Sequence, residues 1–225
     1  CPKNRLDSEV MLGVLDGEGH ELVSAPDEAD VIVVNTCAFI ESAKEESLET
    51  ILEMARFKEA GSVQRLVVTG CLAQRYGEQL QGSLPEVDTF LGTSEFRRIG
   101  GAVDGSLPAR TYIQEGSYLY STADARTNTV RGGTAYVKIA EGCNRTCSFC
   151  IIPKIRGTQK SRPVDDVVRE INQLASGGVK EAILIAQDLT SYGIDTGNVD
   201  KRALVKLLQR MEEVRGLEWV RMLYM

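Results

Sequence analysis

The chain has 225 residues, 43% of them apolar and 26% charged, with a net charge of −6, which is ordinary for a protein able to bury one large core or two smaller ones. No run approaches the roughly 18 apolar residues that a membrane helix needs, and no basic-then-apolar leader opens the sequence. Six cysteines in a chain that is neither short nor visibly secreted point to metal-bound thiolates in a reducing cytoplasm rather than to disulfides.

In chain order, residues 4–16 carry Leu6, Val10, Val14 and Leu15 on one side and predict a helix that Gly17 and Gly19 end. Residues 21–25 are a candidate short strand. Val31 to Val34 is a β-branched apolar run bounded by Asp30 and Asn35, the pattern of a buried parallel strand. Ser42 to Glu45 has capping-box spacing, and the helix it opens puts Leu48, Ile51, Leu52 and Ala55 on one face. A strand at 66–68, a helix at 73–80, a strand at 89–91 and a short helix at 95–99 continue the alternation. Such alternation predicts a parallel α/β sheet over residues 1–104, and ligands of these sheets bind beyond the carboxyl ends of the strands. Cys37 and Cys71 follow Val34 and Val68 at that edge, and Cys1 would share it if a strand preceded it. One cysteine there is most often a small buried residue. Three at equivalent places favour a metal site.

Residues 105–133 have little periodicity and predict a linker, with one hairpin around Tyr112 to Tyr120. A second domain spans 134–225, opening with a strand at 135–140. Pro163 starts a helix with Val164, Val167, Val168 and Ile171 on one face, ended by Gly177 and Gly178. A strand at 182–186 leads into the polar turn 187–193. A helix from near Asp200 and a strand from about Glu218 complete a repeating βα pattern, whose chemistry belongs on the loops after the strands. Gln187 and Asp188 lie on one such loop, where they would either bind a ligand or cap the turn. The chain opens on Cys1 and closes within the apolar run Trp219 to Tyr224. It is therefore expected to be a piece of a longer protein, inactive alone and prone to self-association at that strand edge. No role is assigned to His20.

After the first of these strands come Cys143, Cys147 and Cys150, spaced C-x3-C-x2-C. Thiolates this close converge on one soft metal centre. Structural zinc wants four protein ligands, and no fourth Cys or His is nearby. A four-iron cubane on three thiolates instead leaves one iron open. A partial zinc knuckle and buried structural cysteines are the alternatives. Arg145, Lys154, Arg156, Lys160 and Arg162 surround the loop in sequence, where they would attract a carboxylate or simply solubilise it.

The loop, with Phe149 before its last cysteine, resembles the cluster loop of the radical S-adenosylmethionine (SAM) enzymes. Cys1-Pro2-Lys3-Asn4 with Asp7-Ser8-Glu9, then Asn35-Thr36-Cys37-Ala38-Phe39-Ile40, then Thr69-Gly70-Cys71 resemble the N-terminal signatures of the methylthiotransferases. The resemblance covers nearly the whole chain. It implies an α/β protein: an N-terminal parallel sheet domain followed by a truncated radical SAM partial βα barrel. It also implies two 4Fe-4S clusters, one on Cys143, Cys147 and Cys150 and an auxiliary one on Cys1, Cys37 and Cys71. SAM is the implied cofactor, with Phe149, Gln187 and Asp188 as contacts, and an electron donor is an implied partner. In the family the first cluster reductively splits SAM, the resulting radical removes a hydrogen, and the second cluster supplies sulfur that a further SAM methylates.

The C-P-K-N form and Ile151 to Gly157 are most like the branch that modifies the β-carbon of an aspartate in a small-subunit ribosomal protein. The tRNA-adenosine branch usually shows C-x-M-N and a tyrosine where Lys154 stands. Charge agrees with the protein substrate. Residues 1–108 hold 19 acids and 9 bases, a poor surface for RNA phosphates and a plausible one for a basic protein, unless it is merely a solvated face. An iron-sulfur electron carrier is the reading from another class.

Overall fold

The computed structural model describes residues 1–116, 118–130, 132–197 and 202–225. The first sheet is four parallel strands in the order β1 (Val31–Thr36), β2 (Arg65–Gly70), β3 (Thr89–Leu91) and β4 (Thr111–Tyr112). Helices α2 (Glu41–Glu59) and α3 (Cys71–Ser83) cover one face, where Leu66, Val68 and Phe90 pack with Ile51, Ala55 and Leu72. Helices α1 (Pro2–Gly17) and α4 (Ile99–Asp104) cover the other, where Val67 and Leu91 meet Met11, Leu15 and Ile99. Burial on both faces is why the strands of this sheet are nearly continuous apolar runs.

The second sheet is also parallel, in the order β5 (Thr134–Lys138), β8 (Glu181–Ile185), β9 (Trp219–Leu223). Between β5 and β8, β6 (Ala140–Glu141) pairs antiparallel with β7 (Lys160–Ser161), and α5 (Ile152–Arg156) is a single short helix. Helices α6 (Val164–Ser176) and α7 (Ala203–Met211) cover one face of the sheet through Val167, Ile171, Leu207 and Met211. On the other face, Ile183 and Ile185 pack against Leu6 and Val10 of α1 together with Tyr120. Thus α1 is wedged between the sheets: Met11 and Leu15 serve the first, Leu6 and Val10 the second.

Four expectations change. Residues 21–25 form no strand, and Leu22 and Val23 are exposed; a strand needs a neighbour, and none reaches them. Helix α2 begins at Glu41 with Ile40 at its N-cap and no side-chain cap, so Ser42 lies inside the helix and the capping box does not form. In place of a hairpin around Tyr112 to Tyr120, β4 joins the first sheet, pairing Thr111 with Phe90 and Tyr112 with Leu91; Ser117 is outside the described residues. The helix expected from near Asp200, itself outside them, begins at Ala203. Among the described residues no helix is long and apolar enough to cross a membrane.

Candidate metal and cofactor site

Three sequence motifs are fastened together at the carboxyl ends of β1 and β2. Asn4 Nδ2 donates to Asn35 Oδ1 (2.8 Å) and to the Thr36 carbonyl (3.0 Å), and Asn35 Nδ2 donates to the Asn4 carbonyl (2.9 Å) and Ser8 Oγ (2.8 Å). Thr36 Oγ1 donates to the Thr69 carbonyl (2.6 Å) and accepts from Leu72 N–H (3.3 Å). Gly70 has φ 95°, and a Cβ there would lie 2.4 Å from Asn35 Oδ1, so only glycine permits this approach. The result sets Cys1 at the N-cap of α1, Cys37 directly after β1, and Cys71 at the start of α3. Burial pushes the Cys71 thiol up, against the pull of Arg156, whose Nη2 donates to its Sγ at 3.3 Å.

The second cysteine loop leaves β6 through Gly142, at φ 77°, where a Cβ would stand 2.2 Å from the Thr158 carbonyl. Cys143 N–H donates to the Gly157 carbonyl (3.1 Å) and closes the loop on itself. Cys147 is exposed, Cys143 and Cys150 are half-buried, and Phe149 is 87% exposed. The loop's far end is anchored elsewhere: Ile155 of α5 lies in the core of the first sheet, and its carbonyl accepts from Thr93 Oγ1 at 2.7 Å. This docking brings the second loop to the edge that holds the first triad. Alanine at Gly142 is expected to cost about 1–3 kcal/mol from backbone strain and to weaken iron retention by displacing Cys143. Urea denaturation and iron analysis check this; no change in either would show that the turn yields freely.

Between the two cysteine sets lies a buried ionic cluster. Lys138 Nζ donates to Asp7 Oδ1 (2.5 Å) and Glu141 Oε2 (2.6 Å), and Arg156 Nη1 donates to Asp7 Oδ2 (2.6 Å) and Glu141 Oε2 (3.3 Å). Gln187 Nε2 donates to Glu141 Oε1 at 2.6 Å. Burial pushes the Glu141 carboxyl up, but Lys138, Arg156 and these hydrogen bonds outweigh it and hold it below the usual carboxylate range. Burial lowers the Lys3 ammonium beside this cluster to about 8.

Of the five cations expected around the cysteines, Lys154, Lys160 and Arg145 are exposed and two are buried. Arg156 is buried in the cluster, Arg162 is buried against Asp166 and Glu170, and Arg145 pairs with Asp188 at 2.7 Å. Asp7 and Asp188 are remote in sequence from Arg156 and Arg145, so no local pattern announces those pairs, whereas Asp166 stands at i+4 from Arg162. Asp188 also accepts from Thr190 (2.5 Å) and Ser191 (2.8 Å), which makes it a turn cap as the structure stands. Gln187 Oε1 is a buried acceptor with no partner among the described residues, so it suits a donor such as the ammonium of an amino-acid ligand.

All six cysteines are free. Among the described residues no three Cys, His, Asp or Glu stand close enough to hold a single metal ion. A cubane cluster gives each thiolate its own iron, so its ligands stay further apart than those of one ion. Two all-cysteine triads without a fourth ligand fit that donor chemistry and do not fit structural zinc.

Residues 1–92 match the uncharacterized protein family UPF0004, and residues 137–220 match the radical SAM superfamily. A protein of Sorangium cellulosum called ribosomal protein uS12 methylthiotransferase RimO is 51% identical over 229 residues, covering all of this chain and 47% of that protein. Proteins of the same name are 52% identical in an Anaeromyxobacter species and 51% identical in Myxococcus xanthus, over 224 residues each. Along its whole length the chain is similar to the RimO-type radical SAM methylthiotransferases, with a UPF0004 match followed by a radical SAM match. It spans about half the length of the curated relatives it matches. Two structures of the radical SAM methyltransferase TsrM from Kitasatospora setae, one with tryptophan and a SAM analogue and one with cobalamin and a 4Fe-4S cluster, superpose with TM-scores of 0.59 and 0.58. At 13% and 14% identity, over 97% of this chain and 51% of theirs, they establish the fold.

The structure gathers Cys37 and Cys71 at one strand edge with Cys1 on the adjoining helix end, and sets Cys143, Cys147 and Cys150 on one loop. Asp7, Lys138, Glu141 and Arg156 are site residues that sequence reasoning passes over as partners. Lys138 within the apolar run Ala135 to Ala140 is the one signal available for them, since a buried lysine implies a buried acid.

Proposed function

We propose that the full-length protein inserts a methylthio group at the β-carbon of an aspartate in the small-subunit ribosomal protein uS12. The observation that carries the reading is the joining of the two cysteine sets, with Arg156 of the second loop bonded to Cys71 of the first triad. Cys143, Cys147 and Cys150 would hold one 4Fe-4S cluster and Cys1, Cys37 and Cys71 a second. When bound, these clusters and SAM supply the electron, the hydrogen abstraction, the sulfur and the methyl group. The chain's own residues orient and enclose. Asn4, Asn35 and Thr36 fix the first triad to the sheet edge. Gln187 offers its unpartnered acceptor beside Glu141, and exposed Phe149 offers an aromatic face to a cofactor.

The relatives named for uS12 support the substrate, as does the excess of acids in residues 1–108, which favours encounter with a basic protein. Six free thiols suit a reducing cytoplasm, where an electron donor is a necessary partner. The test is to express the intact gene in a host lacking both uS12 and tRNA methylthiotransferases, then examine uS12 peptides and tRNA nucleosides by mass spectrometry. A methylthio group on an aspartyl peptide of uS12 is expected. Methylthioadenosine in tRNA with unmodified uS12 would sink the assignment.

A further inference from the structure

We propose that Lys3 is the cation that receives the side-chain carboxylate of the substrate aspartate, an inference that rests on the methylthiotransferase reading above. Lys3 sits in the first turn of α1, two residues after Cys1. The charges that act on it are those of the buried cluster: Glu141, Arg156, Lys138 and Asp7. In that cluster Lys138 and Arg156 each pair with both carboxylates, so two acids face two cations and are satisfied. Lys3 is a third cation. It forms no ion pair among the described residues, and its ammonium rests on the face of Tyr224, 3.3 Å from the ring centre.

An ammonium held against an aromatic face has lost part of its hydration without gaining a counter-charge. An anion arriving there meets a cation whose desolvation has already been met by the fold, so the pair forms at lower cost than on an open surface. The position also suits the chemistry. Lys3 follows Cys1 of the first triad by two residues, and it lies within the field of Glu141, two residues before Cys143, and of Arg156, which bonds to Cys71. In aspartate the carboxylate is attached to the β-carbon, so fixing the carboxylate fixes the reacting carbon relative to both cysteine sets. Two other anions have the same chemistry at this place: the carboxylate of SAM and the negative charge of a thiolate-bound cluster. Neither depends on the identity of the substrate side chain, and that difference separates them.

The test uses the full-length protein, reconstituted without oxygen, as wild type, Lys3→Met and Lys3→Arg. Methionine keeps the length and removes the charge. Binding is measured for uS12 and for uS12 carrying asparagine in place of the target aspartate. Lys3→Met is expected to weaken binding of uS12 by on the order of tenfold to a hundredfold. It should leave binding of the asparagine form, the iron content and the SAM dissociation constant unchanged, and Lys3→Arg should recover most of the loss. Equal loss for both forms of uS12, or a fall in SAM affinity or iron, would overturn the proposal and assign Lys3 to the cofactors. If wild type distinguishes aspartate from asparagine and Lys3→Met still does, the proposal alone fails. If wild type neither binds nor modifies uS12, the substrate reading fails and takes this one with it.

Discussion

Replacing Cys143, Cys147 and Cys150 together with alanine in the full-length protein is expected to halve its iron, from about eight to about four atoms per chain, and to reduce SAM cleavage to background. The first triad should survive because its fastenings to the sheet edge do not involve the replaced cysteines: Asn4, Asn35, Thr36 and Gly70 all lie in the first sheet or on α1. The loop should stay docked, because Ile155 and Arg156 hold it and neither is a ligand. The complementary replacement of Cys1, Cys37 and Cys71 should also leave about four irons but keep SAM cleavage. Iron analysis and the yield of 5′-deoxyadenosine check both variants. A folded triple variant that binds no iron would show that the six cysteines serve one centre. Stoichiometric zinc in protein purified without oxygen would show that they do not serve iron.

Methionine at Lys138 is expected to lower stability by about 3–5 kcal/mol, the range for removing one partner from a buried ionic group. Lys138 is 3% exposed and bonds both Asp7 and Glu141, so its loss leaves two buried carboxylates to share Arg156. The midpoint of urea unfolding measures this, and a shift worth less than about 1 kcal/mol would show that water reaches the cluster. The same cluster predicts acid sensitivity. Glu141 titrates below its ordinary 4.5 in the folded state, so its contribution is fully present above that pH and is lost as pH falls through the depressed value. Wild-type stability should therefore fall as pH drops below 4.5, and Lys138→Met should flatten that fall, since the lysine is what most holds the carboxylate down.

The sequence by itself determined most of the local elements and named the candidate donors. The run Val31 to Val34 and the strand at 66–68 are apolar because both faces are covered, and that signature survives in one dimension. The C-x3-C-x2-C loop is legible because its cysteines are near neighbours. The strands at residues 21–25 and in the hairpin near Tyr112 failed because pairing is a property of two segments, and propensity sees one.

What only the tertiary structure decided lies between the two sheets. The α1 helix shows one apolar side in sequence, yet divides it between two cores, Met11 and Leu15 facing one way and Leu6 and Val10 the other. Helix α5, at five residues, is too short to carry a period, and its Ile155 finds a core more than sixty residues away in sequence from Phe90. The ion pairs of Asp7 with Lys138 and Arg156 close separations of 131 and 149 residues. Charges at such distances leave no local trace, because a carboxylate specifies its own desolvation cost but not which cation relieves it. That pairing, made in three dimensions, is what joins the two cysteine sets and leaves Lys3 without an ion pair among the described residues.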